Sequence, residues 1–327
     1  MLKIITLALV AGVSITAASA AEKAVKVDPK LPSYVKVAGV TGNLNSVGSD
    51  SLNNLMTFWV EKFQETYPNV KIQVEGKGSG TAPPALIAGT AQIGPMSREM
   101  KAEEKDQFVK KYGYEPTKIE VALDTLGVFV HKNNKIKSLS MDQLDGIFSK
   151  TRKSGSNEIK TWGDLGLPGE FQAKPISLYG RNSASGTYGF FKEHSLRGGD
   201  YKDTVKEQPG SSSVVQSVGT DKFAIGYSGI GYKTSEVRAV PLSRTTGGEA
   251  FEANYENALN GKYPIARFLY IYVNQDPNKP ADPLIQQFMA FVLSKQGQEI
   301  VVKDGYYPLI PKMQAEQAAK LKIAYHK

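Results

Sequence analysis

Two runs of apolar, β-prone residues set the frame of this chain: Ile119–Val130 (IEVALDTLGVFV) and Phe268–Val273 (FLYIYV). Runs with so few polar interruptions are what strands look like when both of their faces are covered. The segment between them has its own alternation of helix and strand signals. It carries a helical pattern near Met141–Phe148, a Gly/Ser-rich loop at Ser154–Asn157, strand patterns at Ile176–Tyr179 and Ala224–Tyr227, and a helix after Thr187. The segment ahead of them alternates too. Strands at Gly42–Val47, Lys71–Glu75 and Ala91–Met96 are separated by a helix marked by Leu52, Leu55, Met56, Trp59 and Phe63 and a short helix near Pro83–Ala88; a charged helix, Met100–Tyr112, follows. After the second run comes a helix opened by Asp282-Pro283, with Leu284, Ile285, Phe288, Phe291 and Val292 as its buried face. A chain that builds one α/β unit, leaves it, builds a second and returns has two lobes and two crossings. The sequence therefore predicts residues 36–123 with 268–327 as lobe 1 and 124–267 as lobe 2. The crossings fall near Asp124 and Arg267, and both apolar runs are expected to pair in parallel.

The first residues read as an address. Met1-Leu2-Lys3 is followed by an apolar stretch to Ala18, and Ala18-Ser19-Ala20 fits the small-x-small cleavage rule. This predicts a signal peptide over 1–20, cleaved between Ala20 and Ala21, an extended lead-in over 21–35, and a periplasmic mature protein. Lys plus Arg number 40 against 32 Asp plus Glu, a net +8 that is dispersed along the chain rather than clustered with aromatics. That pattern excludes a nucleic-acid binder. There is no cysteine, so disulfides, thiolate zinc sites, iron–sulfur clusters and cysteine nucleophiles are ruled out. With only His131, His194 and His326, histidine-based triads and metal sites are poorly supplied. His194 reads as a surface or half-buried side chain.

Three turns share one design, with glycines and small hydroxyl residues between a strand and a helix. They are Val47-Gly48-Ser49-Asp50-Ser51, Gly76-Lys77-Gly78-Ser79-Gly80-Thr81 and Gly180-Arg181-Asn182-Ser183-Ala184-Ser185-Gly186-Thr187. Free N–H groups at a helix start, together with the helix dipole, favour an anion. Glycine lets the backbone approach closely, hydroxyls add donors without bulk, and Arg181 adds a guanidinium suited to two oxygens at once. A tetrahedral oxyanion needs donors from several directions, which three converging turns would supply. A single such turn is commonly no more than a helix cap. No Gly-x-x-x-x-Gly-Lys-Ser/Thr phosphate loop and no Gly-x-Gly-x-x-Gly is present.

These turns, together with Ala224-Ile225-Gly226-Tyr227, resemble those of the periplasmic phosphate-binding proteins of high-affinity phosphate ABC transporters, over about Gly39 to Pro311. The Arg-x-x-x-Ser-Gly-Thr element is the most specific part. The resemblance implies a two-lobed type II periplasmic binding protein fold with phosphate in the interlobe cleft. It carries phosphate contacts over to Ser49, Asp50, Ser51, Ser79, Arg181, Ser185, Gly186 and Thr187. The best-known members have an Asp after the third strand that accepts the phosphate proton; here that place is Ser97, next to Arg98. Asp50 is the only acidic residue of the three turns. Either it has taken over proton recognition, with Arg98 as its partner, or it only caps the helix and pairs with Arg98; Ser97 and Arg98 are expected among the phosphate ligands.

The function expected is a monomeric, exported carrier that needs no cofactor or metal, breaks no bond, captures inorganic phosphate and delivers it to an inner-membrane ABC permease complex. Two alternatives compete: a carrier of another tetrahedral oxyanion such as sulfate, and a phosphatase-like protein that retains phosphate. The second would need a nucleophile with a base, or metal ligands, which this composition scarcely offers.

Overall fold

The computed structural model describes residues 24–325; the expected signal peptide and cleavage site lie outside them, as does His326. The chain enters through an extended segment held on lobe 1: Leu31 is buried, the Lys295 N–H donates to the Pro32 carbonyl (2.8 Å), and the Tyr34 and Tyr67 hydroxyls lie 2.6 Å apart. In chain order, lobe 1 contributes β1 (Gly42–Val47), α1 (Asn53–Thr66), β2 (Val70–Glu75), α2 (Ala82–Ala88), β3 (Ile93–Met96) and α3 (Ala102–Tyr112). The long strand β4 (Thr117–His131) leads into lobe 2. There follow β5 (Leu139–Ser140), α4 (Met141–Phe148), β6 (Ser177–Arg181), α5 (Gly186–Ser195), β7 (Lys206–Gln208), α6 (Ser211–Thr220), β8 (Ala224–Gly229), β9 (Val237–Ala239), β10 (Leu242–Ser243), β11 (Ala250–Phe251) and α7 (Tyr255–Leu259). Strand β12 (Ala266–Val273) returns, and α8 (Pro283–Leu293), α9 (Lys295–Lys303) and α10 (Pro311–Lys320) complete the chain.

One sheet runs through both lobes in the order β2-β1-β3-β12-β4-β8-β6-β7, with β9 also paired to β4. The first half of β4, up to Thr125, pairs with β12; from Leu126 onward it pairs with β8 and β9. Both apolar runs are buried strands, but the expectation of parallel pairing is wrong: β12 is antiparallel to β3 and to β4, and β4 is antiparallel to β8. Their apolar content reports covered faces, which carries no information on direction. They run antiparallel because they are the outward and return passages of one chain between the lobes.

This direction places the functional end of each lobe. β1 is parallel to β2 and β3, and β3 runs in the sense of β4, toward lobe 2. β8, and β6 parallel to it, run the opposite way, toward lobe 1. The carboxyl ends of the parallel strands of the two lobes therefore face one another, and in open α/β sheets those ends are where ligands bind.

Aromatic packing fixes the helices behind them. α1 buries Leu55, Met56, Trp59, Val60 and Phe63, and the Trp59 indole donates to the Gly297 carbonyl at 2.8 Å. In lobe 2 the Phe191 ring of α5 stacks on Tyr227 of β8 at 4.0 Å, with 3° between the planes. That contact pins α5 one turn beyond its N-terminus.

Asp304, which closes α9, is half-buried, and burial pushes its carboxyl from 3.8 up to about 7. A folded-state value above the unfolded one means that ionising Asp304 costs stability as pH rises through that interval. The negative end of the α9 dipole acts in the same direction. Asp304→Asn is expected to raise the thermal midpoint at about pH 8 and to leave it nearly unchanged at about pH 3, below both values, where the carboxyl is largely protonated in both states. Circular-dichroism melts at the two pH values check this; a pH-independent difference would show that Asp304 titrates like an exposed carboxyl.

Candidate anion-binding site

The facing strand ends bring the three glycine–hydroxyl turns together. Ser49 follows β1 and accepts the Ser51 N–H at 3.2 Å, capping a short 3-10 turn, Asp50–Leu52, that leads into α1. Ser79 stands in the turn after β2, and Ser97 directly after β3. From lobe 2, Ser185 caps α5 by accepting the Thr187 and Tyr188 N–H groups at 3.1 and 3.4 Å.

These side chains meet. Ser49 Oγ donates to Ser97 Oγ at 3.0 Å, and Ser79 Oγ accepts the Ser97 N–H at 2.9 Å and lies 3.3 Å from Ser97 Oγ. Across the lobes, Ser51 Oγ and Thr187 Oγ1 are 2.9 Å apart. All six hydroxyl side chains are buried, none more than 4% exposed. Gly186 lies against Ser79 and Ser97. A Cβ there would stand 2.2 Å from Ser79 Oγ and 2.7 Å from Ser97 Oγ, so only a bare Cα admits the two serines. Gly78, at φ +115°, brings the second turn onto the third: a Cβ would meet the Ala184 carbonyl at 2.5 Å, and the next donor along, the Gly80 N–H, bonds that carbonyl at 3.0 Å.

Arg181 ends β6 and is buried. It donates to Ser211 Oγ at 2.6 Å and to the Pro209 carbonyl at 3.3 Å, and it pairs with Asp50 Oδ2 at 3.2 Å from the opposite lobe. Its buried Nε–H has no acceptor among the described residues. Burial lowers the Arg181 pKa and the Asp50 charge opposes that fall; a guanidinium stays protonated in such a setting. Asp50 Oδ2 also accepts the Ser211 N–H at 2.8 Å, at the N-terminus of α6, and the Asp50 carbonyl accepts the Tyr232 hydroxyl at 2.9 Å.

The expected pairing of Asp50 with Arg98 does not form. Arg98 instead makes a two-pronged ion pair with Glu104, at 2.7 and 2.8 Å. Glu104 lies six residues on, in the first turn of α3, where its carboxylate also caps the Lys101 N–H. This partner, in the helix that follows, holds Arg98 away from Asp50, its stem against Gly189 of α5. Asp50 is taken by the guanidinium and helix terminus that face it. His194 is exposed, its Nδ1 3.0 Å from the Phe190 carbonyl.

Three groups at this site escaped the sequence reading as site residues. Ser211 opens α6 after Gly210, and Gly210-Ser211-Ser212-Ser213 repeats the glycine–hydroxyl design before a helix, a signal that was there to read. Asp124 and Arg267 stood out only as crossing points. They lie opposite each other in the β4–β12 register and form a buried ion pair, Nη2 to Oδ2 at 2.8 Å. Burial pushes the Asp124 carboxyl up, against the pull of Arg267 and of the Ile230 N–H. An Asp in the apolar stretch of β4 and the single charged residue of β12 were the available signal, since buried charges come paired.

Known proteins resemble this chain in sequence and in fold. The model of the PBP superfamily domain matches residues 35–296. The "Phosphate-binding protein PstS" of Pseudomonas aeruginosa is 58% identical over 302 residues, covering 92% of this chain and 93% of that protein. Among solved structures, a putative phosphate ABC transporter substrate-binding protein with bound phosphate from Clostridium perfringens superposes with a TM-score of 0.69 at 27% identity, covering 82% of this chain and all of that one. An ABC-type phosphate transport receptor from Vibrio cholerae shares the fold, with a TM-score of 0.63 at 24% identity over 81% of this chain and 100% of its own. With a relative so similar over nearly its whole length, and with the two-lobed fold in place, the chain belongs to the PstS family of phosphate-binding proteins within the PBP superfamily.

Proposed function

We propose that this chain is an exported, monomeric solute-binding protein that captures inorganic phosphate between its lobes and delivers it to an inner-membrane ABC permease complex. One observation carries the reading: buried hydroxyls of both lobes meet, Ser79 and Ser97 against the bare Cα of Gly186 and Ser51 against Thr187, with the buried Arg181 facing Asp50 across the same junction, so that preorganised N–H and O–H dipoles can replace water around an oxyanion. The names of the relatives support phosphate as that anion. The proposed ligand set is Ser49, Asp50, Ser51, Ser79, Ser97, Arg181, Ser185, Gly186 and Thr187, with Arg98 at the rim rather than in contact. Lobe 1 comprises 36–123 with 268–327 and lobe 2 comprises 124–267; the change of β4 partner between Thr125 and Leu126 supports that division. Residues 1–20 would direct the chain to the periplasm. No bond is broken, and no cofactor takes part.

The deciding experiment is calorimetric competition on ligand-free protein with phosphate, arsenate and sulfate. Phosphate and arsenate are expected to bind and sulfate to be excluded; equal binding of sulfate would overturn the substrate class.

Two substitutions test the ligand set. Arg181→Lys keeps the charge and loses the fork, and is expected to weaken phosphate binding by about 1.5–3 kcal/mol. Gly186→Val should abolish binding, because its side chain has no room beside Ser79 and Ser97. Unchanged titrations in both variants would remove the third turn from the site.

Asp50 bears on specificity. Phosphate carries a proton near neutral pH and sulfate does not, so a dry site made only of donors has no reason to prefer phosphate. Asp50, an acceptor set beside Arg181, would receive that proton and repel an aprotic dianion. Asp50→Asn is expected to weaken phosphate binding and to narrow the phosphate-over-sulfate ratio by at least about tenfold, or ~1.4 kcal/mol. A ratio that stays fixed while affinity falls would reduce Asp50 to a link that orients Arg181.

A further inference from the structure

Arg267 stands outside the ligand set, yet its guanidinium bonds to both lobes and to the crossing between them. Nε and Nη2 both hold Asp124 Oδ2, at 2.9 and 2.8 Å, and Nη1 donates to the Ser97 carbonyl at 2.8 Å. Nη2 also donates to Thr187 Oγ1 at 3.0 Å. The Phe190 ring covers the guanidinium, 5.2 Å from Cζ. Asp124 is tied in turn to lobe 2, its Oδ1 accepting the Ile230 N–H at 3.0 Å. The Arg267 and Asp124 side chains are 1% and 0% exposed.

The bond to Thr187 has a definite polarity. Arginine has donors and no acceptor, so the threonine oxygen must accept. A hydroxyl has a single proton, and with Arg267 on its acceptor side that proton points away from the guanidinium, toward Ser51 Oγ at 2.9 Å or toward an anion between the lobes. A threonine without this neighbour could turn its lone pairs to the cleft, where they would repel an oxyanion. Because Asp124 neutralises the guanidinium, Arg267 contributes orientation more than charge.

We propose that Arg267 is a positioning residue: held by Asp124, it fixes the Thr187 hydroxyl as a donor to the captured anion and anchors that donor to the strand crossing. This rests on the phosphate reading above. A lysine keeps the charge but cannot hold Asp124, the Ser97 carbonyl and Thr187 together.

The test is a double-mutant cycle on ligand-free protein, with phosphate affinity read by calorimetry and folding by thermal melts. The wild-type chain must bind phosphate; if it does not, the phosphate reading itself fails and takes this inference with it. Given binding, Arg267→Lys is expected to weaken it about tenfold, whereas the same change in a Thr187→Val background should cost less than about twofold, since the pair then acts as one unit. Thr187→Ser, which keeps the hydroxyl, should remain sensitive to Arg267→Lys. Losses that multiply in the double variant, or a lowered melting point with unchanged affinity, would overturn the proposal. Should Arg267→Lys fail to fold, Asp124→Asn, which keeps the shape and frees the guanidinium, enters the same cycle and is held to the same outcomes.

Discussion

The buried Asp124–Arg267 pair holds the two lobes in one frame. It sits where β4 changes partner, and it joins residues that face each other in the register of the two crossing strands. Moving two charges from water into an interior is costly, and attraction offsets that cost only when the geometry is good and the remaining lone pairs and protons are bonded. Here four of the five guanidinium N–H groups are bonded. Asp124 accepts from Nε, from Nη2 and from the Ile230 N–H, and the guanidinium donates further to the Ser97 carbonyl and Thr187. A one-residue slip of β12 against β4 would separate the pair and turn each side chain to the opposite face of the sheet, so the pair also specifies register.

Register in turn sets the site. Because β4 and β12 run antiparallel, the parallel strands of the two lobes present their carboxyl ends to each other. Each strand-to-helix turn then meets a turn from the opposite lobe: Gly80 meets Ala184, Ser51 meets Thr187, and Asp50 meets Arg181 and Ser211. A contact between two such turns needs small residues on both sides. Glycine and serine therefore recur where a larger side chain would keep the lobes apart. The same residues supply donors, so closeness and anion affinity follow from one composition.

Much of this was legible in the sequence. The strand Gly42–Val47 and the helix Met141–Phe148 are found as their local patterns indicate, because periodicity and capping act over a few residues. The three glycine–hydroxyl turns were visible for the same reason. Strand direction was not legible: apolar runs at Ile119–Val130 and Phe268–Val273 say only that both faces are covered. Nor could local reading choose a partner for Asp50. It stands far from Arg98 and Arg181 alike in sequence, and the outcome depended on Glu104, at the start of the next helix, holding Arg98. Position along the chain showed that Asp124 and Arg267 mark the crossings, but their role at Thr187 depends on α5 packing through Phe191 onto Tyr227.

The two arginines of the site each face a carboxylate, Arg181 with Asp50 and Arg267 with Asp124. The chain as a whole carries +8, yet the proposed anion site is close to electrically balanced. Excess positive charge would draw in any anion and would favour the more highly charged one, regardless of how its protons are placed. A balanced site must bind through oriented dipoles, whose effect depends on where each oxygen and each proton of the ligand lies. Discrimination then comes from the match of donors and acceptors, with the hydroxyls of Ser49, Ser51, Ser79, Ser97 and Thr187 as the adjustable part. Each can turn to donate or accept, and each is held to one role only by its neighbour. The positioning bond from Arg267 to Thr187 is one such constraint, and the N–H of Ser97 on Ser79 Oγ is another. If these hydroxyls hold the anion as proposed, its selectivity is set by which group sits behind each hydroxyl as much as by the hydroxyls themselves.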